Sequence, residues 1–94
     1  MAALAHPDPG LRAQAIARAA LASALALPEA RAQGLAEDTP LFGAMPEMDS
    51  MSVAAVLGEI EERAGILIDD DAPLAEAFAT FGALTRFIAA RLPD

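Results

Sequence analysis

The chain has 94 residues, enough for one small domain with a single core and too few for two. Its 14 carboxylates outnumber its 6 basic residues, all arginine, and the net charge of −8 disfavours nucleic acid and anionic membranes but favours basic protein partners. With no cysteine and no apolar run near ~20 residues, the chain has no disulfide, thiolate metal site or transmembrane helix, and we expect a cytoplasmic protein without membrane insertion.

Residues 1–8 are expected to form a flexible arm ahead of a single domain at residues 9–94. Asp8 followed by Pro9 predicts the start of a helix, because aspartate is a good cap and proline is favoured at the first helical position. The helix is rich in alanine and leucine and should continue to about Leu27. Its apolar stripe is poorly defined, so its docking face is not predicted.

The segment 17–32 also has the features of a secretory signal, namely an arginine, a short apolar stretch and small residues. Against a cleaved signal, the stretch begins late and Asp8 precedes it. The same residues serve naturally as a helix of the domain, which is the interpretation that we favour.

Residues 28–48 mix prolines and glycines with scattered apolar residues, which predicts a long connection. A helical turn is expected inside it, near residues 29–36. Four apolar side chains should hold the connection against the body: Leu35, Leu41, Phe42 and Met45.

The sequence from Asp49 to Gly65 predicts an amphipathic helix, because its apolar residues fall on one face. That face comprises Val53, Val56, Leu57, Ile60 and Ala64. Met51 lies on the opposite, solvent-facing side with Glu62, and Glu59 lies at its edge. Glycine is a common terminator, so Gly65 should end the helix.

Two further helices are predicted near the C-terminus. A short one should run from Pro73 to about Phe78, and Thr80 should cap a final helix. The buried face of that helix repeats through Phe81, Leu84, Ile88 and Leu92. Since no segment is typical of a strand, we expect an all-α fold, a small four-helix bundle of three main helices and one short helix.

Ser50 stands at the start of the amphipathic helix and has two interpretations. In the simpler one, Asp49 and Ser50 cap the helix and Met51 is a stray exposed apolar residue. In the functional one, Ser50 is the attachment point of a phosphate-linked group. The free N–H groups and the positive end of the helix dipole would stabilise a phosphodiester there.

The segment MDSMSVAAVLGEIEERAGILI resembles the phosphopantetheine-bearing carrier superfamily of acyl, peptidyl and D-alanyl carrier proteins. The matching positions are Asp49, Ser50, Met51, Glu61, Glu62 and Gly65 through Ile68. The resemblance extends over roughly residues 40–92 and is loose in the first helix. The segment is also similar to carriers that accompany bacterial exosortase and exopolysaccharide loci.

The resemblance implies an acyl carrier protein with the acyl-carrier bundle fold, no catalytic residue and no metal. Ser50, beside Asp49, would carry a 4′-phosphopantetheine arm attached by a phosphopantetheinyl transferase, and acyl cargo would be held as a thioester, as in fatty acid or polyketide biosynthesis. Acyl-loading ligases and acyl-transferring enzymes with basic patches would dock on Met51, Glu59, Glu61 and Glu62. Reversing Glu61 and Glu62 to lysine should slow loading without unfolding the protein. We expect a monomer.

Four positions depart from the family pattern: Met51, Ala55, Gly58 and Ala64. Met51 replaces the commoner leucine, as it does in D-alanyl carriers. Together with Ala55 and Gly58, it leaves the identity of the partner enzymes open. Ala64 stands where a core phenylalanine is usual, which predicts that Phe78, Phe81 or the long connection fills the space.

A calcium site and a Ser-His-Asp hydrolase have weaker support in the sequence. Asp69, Asp70 and Asp71 are adjacent, whereas a calcium loop spaces its ligands at alternate positions and adds a glycine and a glutamate, so a solvated cluster is the better interpretation. His6, the only histidine, lies in the expected arm, which argues against a Ser-His-Asp hydrolase. Two alternatives stay open: a carrier of an aminoacyl group, and an unmodified acidic helical adaptor.

Overall fold

The computed structural model describes residues 8–93, and the expected flexible arm falls almost wholly outside that range. The described chain is all-α and contains five helices: α1 (Pro9–Leu25), α2 (Glu29–Gln33), α3 (Ser50–Ala64), α4 (Leu74–Ala77) and α5 (Phe81–Ala89). The all-α class and the three main helices are confirmed. Two short helices accompany them rather than one, because the helical turn expected near residues 29–36 forms as α2.

The helix ends follow the capping residues in the sequence. The carboxylate of Asp8 accepts the Gly10 N–H at 3.3 Å, and Pro9 opens α1. Thr80 caps α5 through the Ala83 N–H at 3.0 Å. The predicted end of α1 at Leu27 is two residues too late, because Ala26 adopts a left-handed conformation with φ 54° that turns the chain.

Helix α1 lies at the centre of the bundle and packs against both α3 and α5. Ala13, Ala17 and Ala20 on its buried face are completely inaccessible to solvent, and Leu21 packs beside them. Because the separation of two packed helices depends on the side chains between them, this alanine face allows close approach. The face was not predictable from the spacing of large apolar residues.

The core is built from a few large side chains supplied by every part of the chain. The largest fully buried ones are Phe78, Phe81, Leu21, Leu41, Ile60, Leu84, Ile88 and Val56. Both phenylalanines expected to compensate for Ala64 are therefore in the core. Leu57 and Leu92, predicted as core residues, are only partly buried.

The connection between α2 and α3 is held to the body by main-chain hydrogen bonds. Its segment 37–42 runs beside the start of α5 and the residues before it. The bonds are Leu41 N–H to Ala79 O (3.2 Å), Phe42 N–H to Phe78 O (2.9 Å), Phe81 N–H to Thr39 O (2.8 Å) and Gly82 N–H to Glu37 O (2.9 Å). The expectation of an anchored connection is confirmed.

The side chains of the connection behave as expected with one exception. Leu35 and Leu41 are buried and Met45 packs on the core, but Phe42 is 47% exposed. The prediction that Phe42 anchors the connection is wrong, because its backbone is held by hydrogen bonds and its ring lies at the surface. Met48, immediately before the α3 cap, is buried instead.

Arg18 joins α1 to α2 and to the residues that follow α2. Its guanidinium donates to the Ala32 carbonyl at 2.5 Å and the Leu35 carbonyl at 3.3 Å, and lies 5.0 Å from the centre of the Phe81 ring. Both hydrogen bonds come from the same nitrogen, Nη1, and the guanidinium lies over the Phe81 ring in a cation–π contact.

The segment weighed as a signal, residues 17–32, forms parts of α1 and α2 and contributes several core residues. Its role as helix in the domain is confirmed. Within residues 8–93, no helix combines the length and apolar character needed to cross a bilayer.

Two glycines provide a matched test of the packing. A Cβ added at Gly82 would lie 2.8 Å from the Glu37 carbonyl oxygen, whereas one at Gly58 would meet nothing within 4 Å. We expect Gly82→Ala to lower the free energy of unfolding by about 1–3 kcal/mol through overpacking. Gly58→Ala should raise it by about 0.5–1 kcal/mol, because alanine favours a helix interior.

Urea unfolding of the two variants and the wild type measures both effects. Equal effects of the two substitutions would show that the contact between Gly82 and Glu37 does not constrain the fold.

Candidate functional site

The candidate site lies at the first turn of α3, where the adjacent residues Asp49 and Ser50 have different roles. The Oδ1 of Asp49 accepts the Ser52 N–H at 2.8 Å and caps the helix. Ser50 is the first residue of α3, and both Asp49 and Ser50 are exposed to solvent. Because Asp49 supplies the cap, the Ser50 hydroxyl is not required for it and remains accessible.

The hydrogen bond from the Ser52 N–H, first among several, holds the pKa of Asp49 below its ordinary value. The carboxylate is therefore charged at neutral pH and lies at the positive end of the helix dipole, where negative charge is stabilised. The same N-terminal environment would favour a phosphate-linked group on the neighbouring Ser50.

An apolar cleft of about 230 Å³ opens beside Ser50. Its other lining residues are Phe42, Val53, Leu74, Ala75 and Phe78. The Ser50 hydroxyl is thus a polar group at the edge of an otherwise apolar space formed by the connection, α3 and α4. A cleft of this character can accept an apolar chain more readily than a charged one.

Sequence reasoning did not locate this cleft. Ala64, where the sequence departs from the usual core phenylalanine, is not a lining residue. The signal that could have found it is Phe42, a large aromatic residue in a connection rich in proline and glycine. That residue forms part of the wall because its backbone is fixed beside Phe78.

An ion pair ties α2 to the residues directly before the site. The two terminal guanidinium nitrogens of Arg31, Nη1 and Nη2, both donate to the carboxylate of Glu47, Nη2 at 3.2 Å. The bond from Arg31 lowers the pKa of Glu47. Glu47 lies three residues before Ser50, so the pair restrains the approach to α3. No local pattern could have predicted it, since the partners are 16 residues apart.

The face of α3 opposite the core is exposed as the periodicity predicted. Met51 is 83% exposed, and Ala55, Gly58 and Glu62 are also at the surface. Met51 directly follows Ser50, so a large apolar side chain is presented to solvent next to the hydroxyl.

Two of the three glutamates proposed for partner docking make internal contacts. Glu59 accepts hydrogen bonds from the Ser23 hydroxyl at 3.0 Å and from Arg63 Nε at 3.0 Å, which links α1 to α3. Glu61 accepts the Ile68 N–H at 2.9 Å and holds the residues that follow the helix. Glu62 has neither of these structural roles and is exposed.

Asp69, Asp70 and Asp71 are exposed and form no metal cage. In the described range 8–93, no group of three or more His, Cys, Asp or Glu residues is placed to hold a metal ion. His6 lies outside that range.

The arrangement offers an exposed serine at a helix N-terminus, a neighbouring carboxylate fixed in a cap, and an apolar cleft that the serine helps to line. No family model, curated protein or solved structure matches the chain. Residues 8–93 hold no histidine, so an imidazole base beside Ser50 would have to come from elsewhere.

The lowered pKa of Asp49 predicts a pH-dependent cap. A folded-state pKa below the unfolded value stabilises the fold above the unfolded pKa of about 3.9, and this stabilisation is lost as the pH falls through the folded pKa. Asparagine can also cap a helix, so Asp49→Asn removes the charge and keeps the hydrogen bond. We expect the variant to be less stable than wild type at about pH 7 and similar to it at about pH 2 to 3.

Urea unfolding at both pH values checks this. At each pH, the difference between the two free energies of unfolding cancels the contributions of the other titrating groups, Glu47 among them. A stability difference that does not change with pH would contradict the prediction.

Proposed function

We propose that this chain is an acyl carrier protein and that Ser50 is the residue to which 4′-phosphopantetheine is attached. The observation that carries the proposal is the accessible Ser50 hydroxyl at the start of α3, released from capping by Asp49 and bordered by an apolar cleft. The resemblance of residues 49–68 to phosphopantetheine carriers supports the same residue independently.

Attachment requires little of this chain. The Ser50 oxygen forms a bond to the phosphorus next to the pantetheine part of coenzyme A. The bond from that phosphorus to the rest of the diphosphate breaks, adenosine 3′,5′-bisphosphate leaves, and the hydroxyl proton passes to a base of the transferase. The free N–H groups and dipole of α3 stabilise the negative phosphodiester that results.

The residues around Ser50 fit such a group, since the hydroxyl is exposed and the adjoining cleft is open. When bound, the arm supplies a terminal thiol that carries cargo as a thioester, chemistry that a chain without cysteine cannot provide itself. The chain's own part is to hold Ser50 at the surface, stabilise the phosphodiester and present both to partner enzymes.

The cleft favours acyl cargo over aminoacyl cargo. Its lining is apolar apart from the serine, so burying a charged amino group there would be costly, whereas each buried CH₂ gains about 0.8 kcal/mol. An acyl chain returning toward Ser50 would have apolar surface to contact at Phe42, Leu74 and Phe78.

Partner enzymes would approach the exposed face of α3. Met51 offers an apolar contact beside the modified serine, and Glu62 offers a charge that attracts basic surfaces. Such contacts set encounter rate and orientation more than affinity, which suits a carrier that must leave one enzyme for the next. The same face would equally serve an unmodified adaptor, the second function that Met51 favours.

Intact-mass measurement separates these functions. After incubation with coenzyme A and a phosphopantetheinyl transferase, the wild type should gain the mass of one phosphopantetheine group and a titratable thiol. Ser50→Ala should gain neither. Ser52→Ala, two residues along the same helix, is the matched control and should be modified. If the wild type is not modified, the unmodified adaptor becomes the better function. If Ser50→Ala is modified, the arm is attached to a residue other than Ser50.

A single charge reversal tests the docking face. Because Glu61 holds the Ile68 N–H, reversing it would disturb the chain after α3 as well as the surface. Glu62→Lys changes the surface alone, and we expect it to slow Ser50 modification about threefold or more at low salt, with a smaller effect at high salt. Thermal unfolding should be unchanged.

Asp38→Lys provides the control, since it makes the same charge change at an exposed position outside α3. Equal slowing by both variants would mean that net charge, rather than the α3 face, governs the encounter.

A further inference from the structure

Glu61 holds the segment that follows α3. Its carboxylate accepts the Ile68 N–H at 2.9 Å, and its main-chain carbonyl accepts the Ile66 N–H at 3.2 Å. Among residues 8–93, no other hydrogen bond joins residues 67–73 to α1, α3 or α5. The Glu61 carboxylate is therefore the one polar attachment of that segment to the three main helices in the described part of the chain.

The segment leads directly into α4, which supplies part of the wall of the cleft beside Ser50. Leu74 and Ala75 of α4 line this cleft together with Ser50 and Val53 of α3. The C-terminal end of α4 is fixed, because Phe78 directly after it is completely buried and the helix packs mainly against α5. The N-terminal end, at Leu74, depends on the segment that Glu61 holds.

The segment has little slack. Glu61 lies eleven residues after Ser50 on α3, which is about 16 Å along the helix axis. The six-residue step from Ile68 to Leu74 can span at most about 20 Å when fully extended. A turn within residues 69–72 shortens it further. The point at which Ile68 is held therefore limits where Leu74 can lie beside the cleft.

We propose that Glu61 is a positioning residue for cargo, because its bond to the Ile68 N–H sets the place of Leu74 and so the shape of the cleft. That an acyl chain occupies the cleft rests on the proposed function, whereas the link from Glu61 to the cleft wall does not. An apolar chain binds more tightly to a wall already in place than to one that must be ordered first, since ordering a segment costs free energy on binding. Glu61 thus acts inside the fold rather than as a contact for partner enzymes.

Single variants of the unmodified protein test this link, with 1-octanol as a neutral apolar probe followed by ¹H–¹⁵N NMR. Glu61→Ala removes the acceptor of the Ile68 N–H. We expect amide hydrogen exchange at residues 66–74 to become about tenfold faster or more, and octanol affinity to fall about threefold or more. Glu61→Gln keeps a side-chain oxygen that can accept the same N–H and should hold octanol affinity within about twofold of wild type.

Glu62→Ala is the matched control, since it makes the same truncation at the exposed neighbouring position and should change neither quantity. Exchange at residues 53–58 should stay unchanged in Glu61→Ala, which separates positioning of the cleft wall from a general loss of stability.

Four results would overturn the proposal. They are unchanged octanol affinity in Glu61→Ala, an equal loss of affinity in Glu61→Gln, faster exchange at residues 53–58 in Glu61→Ala, and wild-type octanol shifts that do not centre on the cleft. None of these measurements uses the phosphopantetheine arm. A wild type that is not modified at Ser50 would count against the carrier function alone, so the two failures are distinguishable.

Discussion

The small side chains on the buried face of α1 are the constraint on which the rest of the structure depends. Ala13, Ala17 and Ala20 are wholly buried where α1 packs between α3 and α5. Larger residues there would separate the helices, and the overpacking would cost stability. Since α3 is positioned by this contact, the location of Ser50 at its first turn is set by α1.

Around the first turn of α3, the residues next to Ser50 make the structural contacts, so Ser50 is not needed for them. Met48 is buried, Glu47 is bound by Arg31, and Asp49 supplies the cap. The acidic residues of the chain divide in a similar way. Glu59 and Glu61 make internal contacts, whereas Glu62 remains at the surface. A strongly acidic composition therefore overstates the charge that α3 offers to a partner.

Local features of the sequence were sufficient for most of the fold. Asp8, Asp49, Thr80 and Gly65 mark helix ends because capping depends on residues close in sequence. The spacing of the apolar residues located the buried face of α3, because a helical repeat also depends only on residues close in sequence. The sequence also indicated Ser50 and an exposed Met51. What it could not provide were contacts between distant residues, such as Arg31 with Glu47 or Phe42 with the cleft. The packing face of α1 was equally hidden, because alanine is common on both buried and exposed surfaces.

The segment 37–42 reaches its place through four hydrogen bonds that use only main-chain atoms. Its path beside α5 is therefore held by main-chain bonds and by the buried Leu41 side chain, and does not require the Phe42 ring. Phe42, half exposed on a fixed backbone at the cleft, is then a position where the rim can be reshaped independently of the scaffold. Selectivity for differently sized molecules could be altered there by evolution, or by an engineer, while the bundle stays intact.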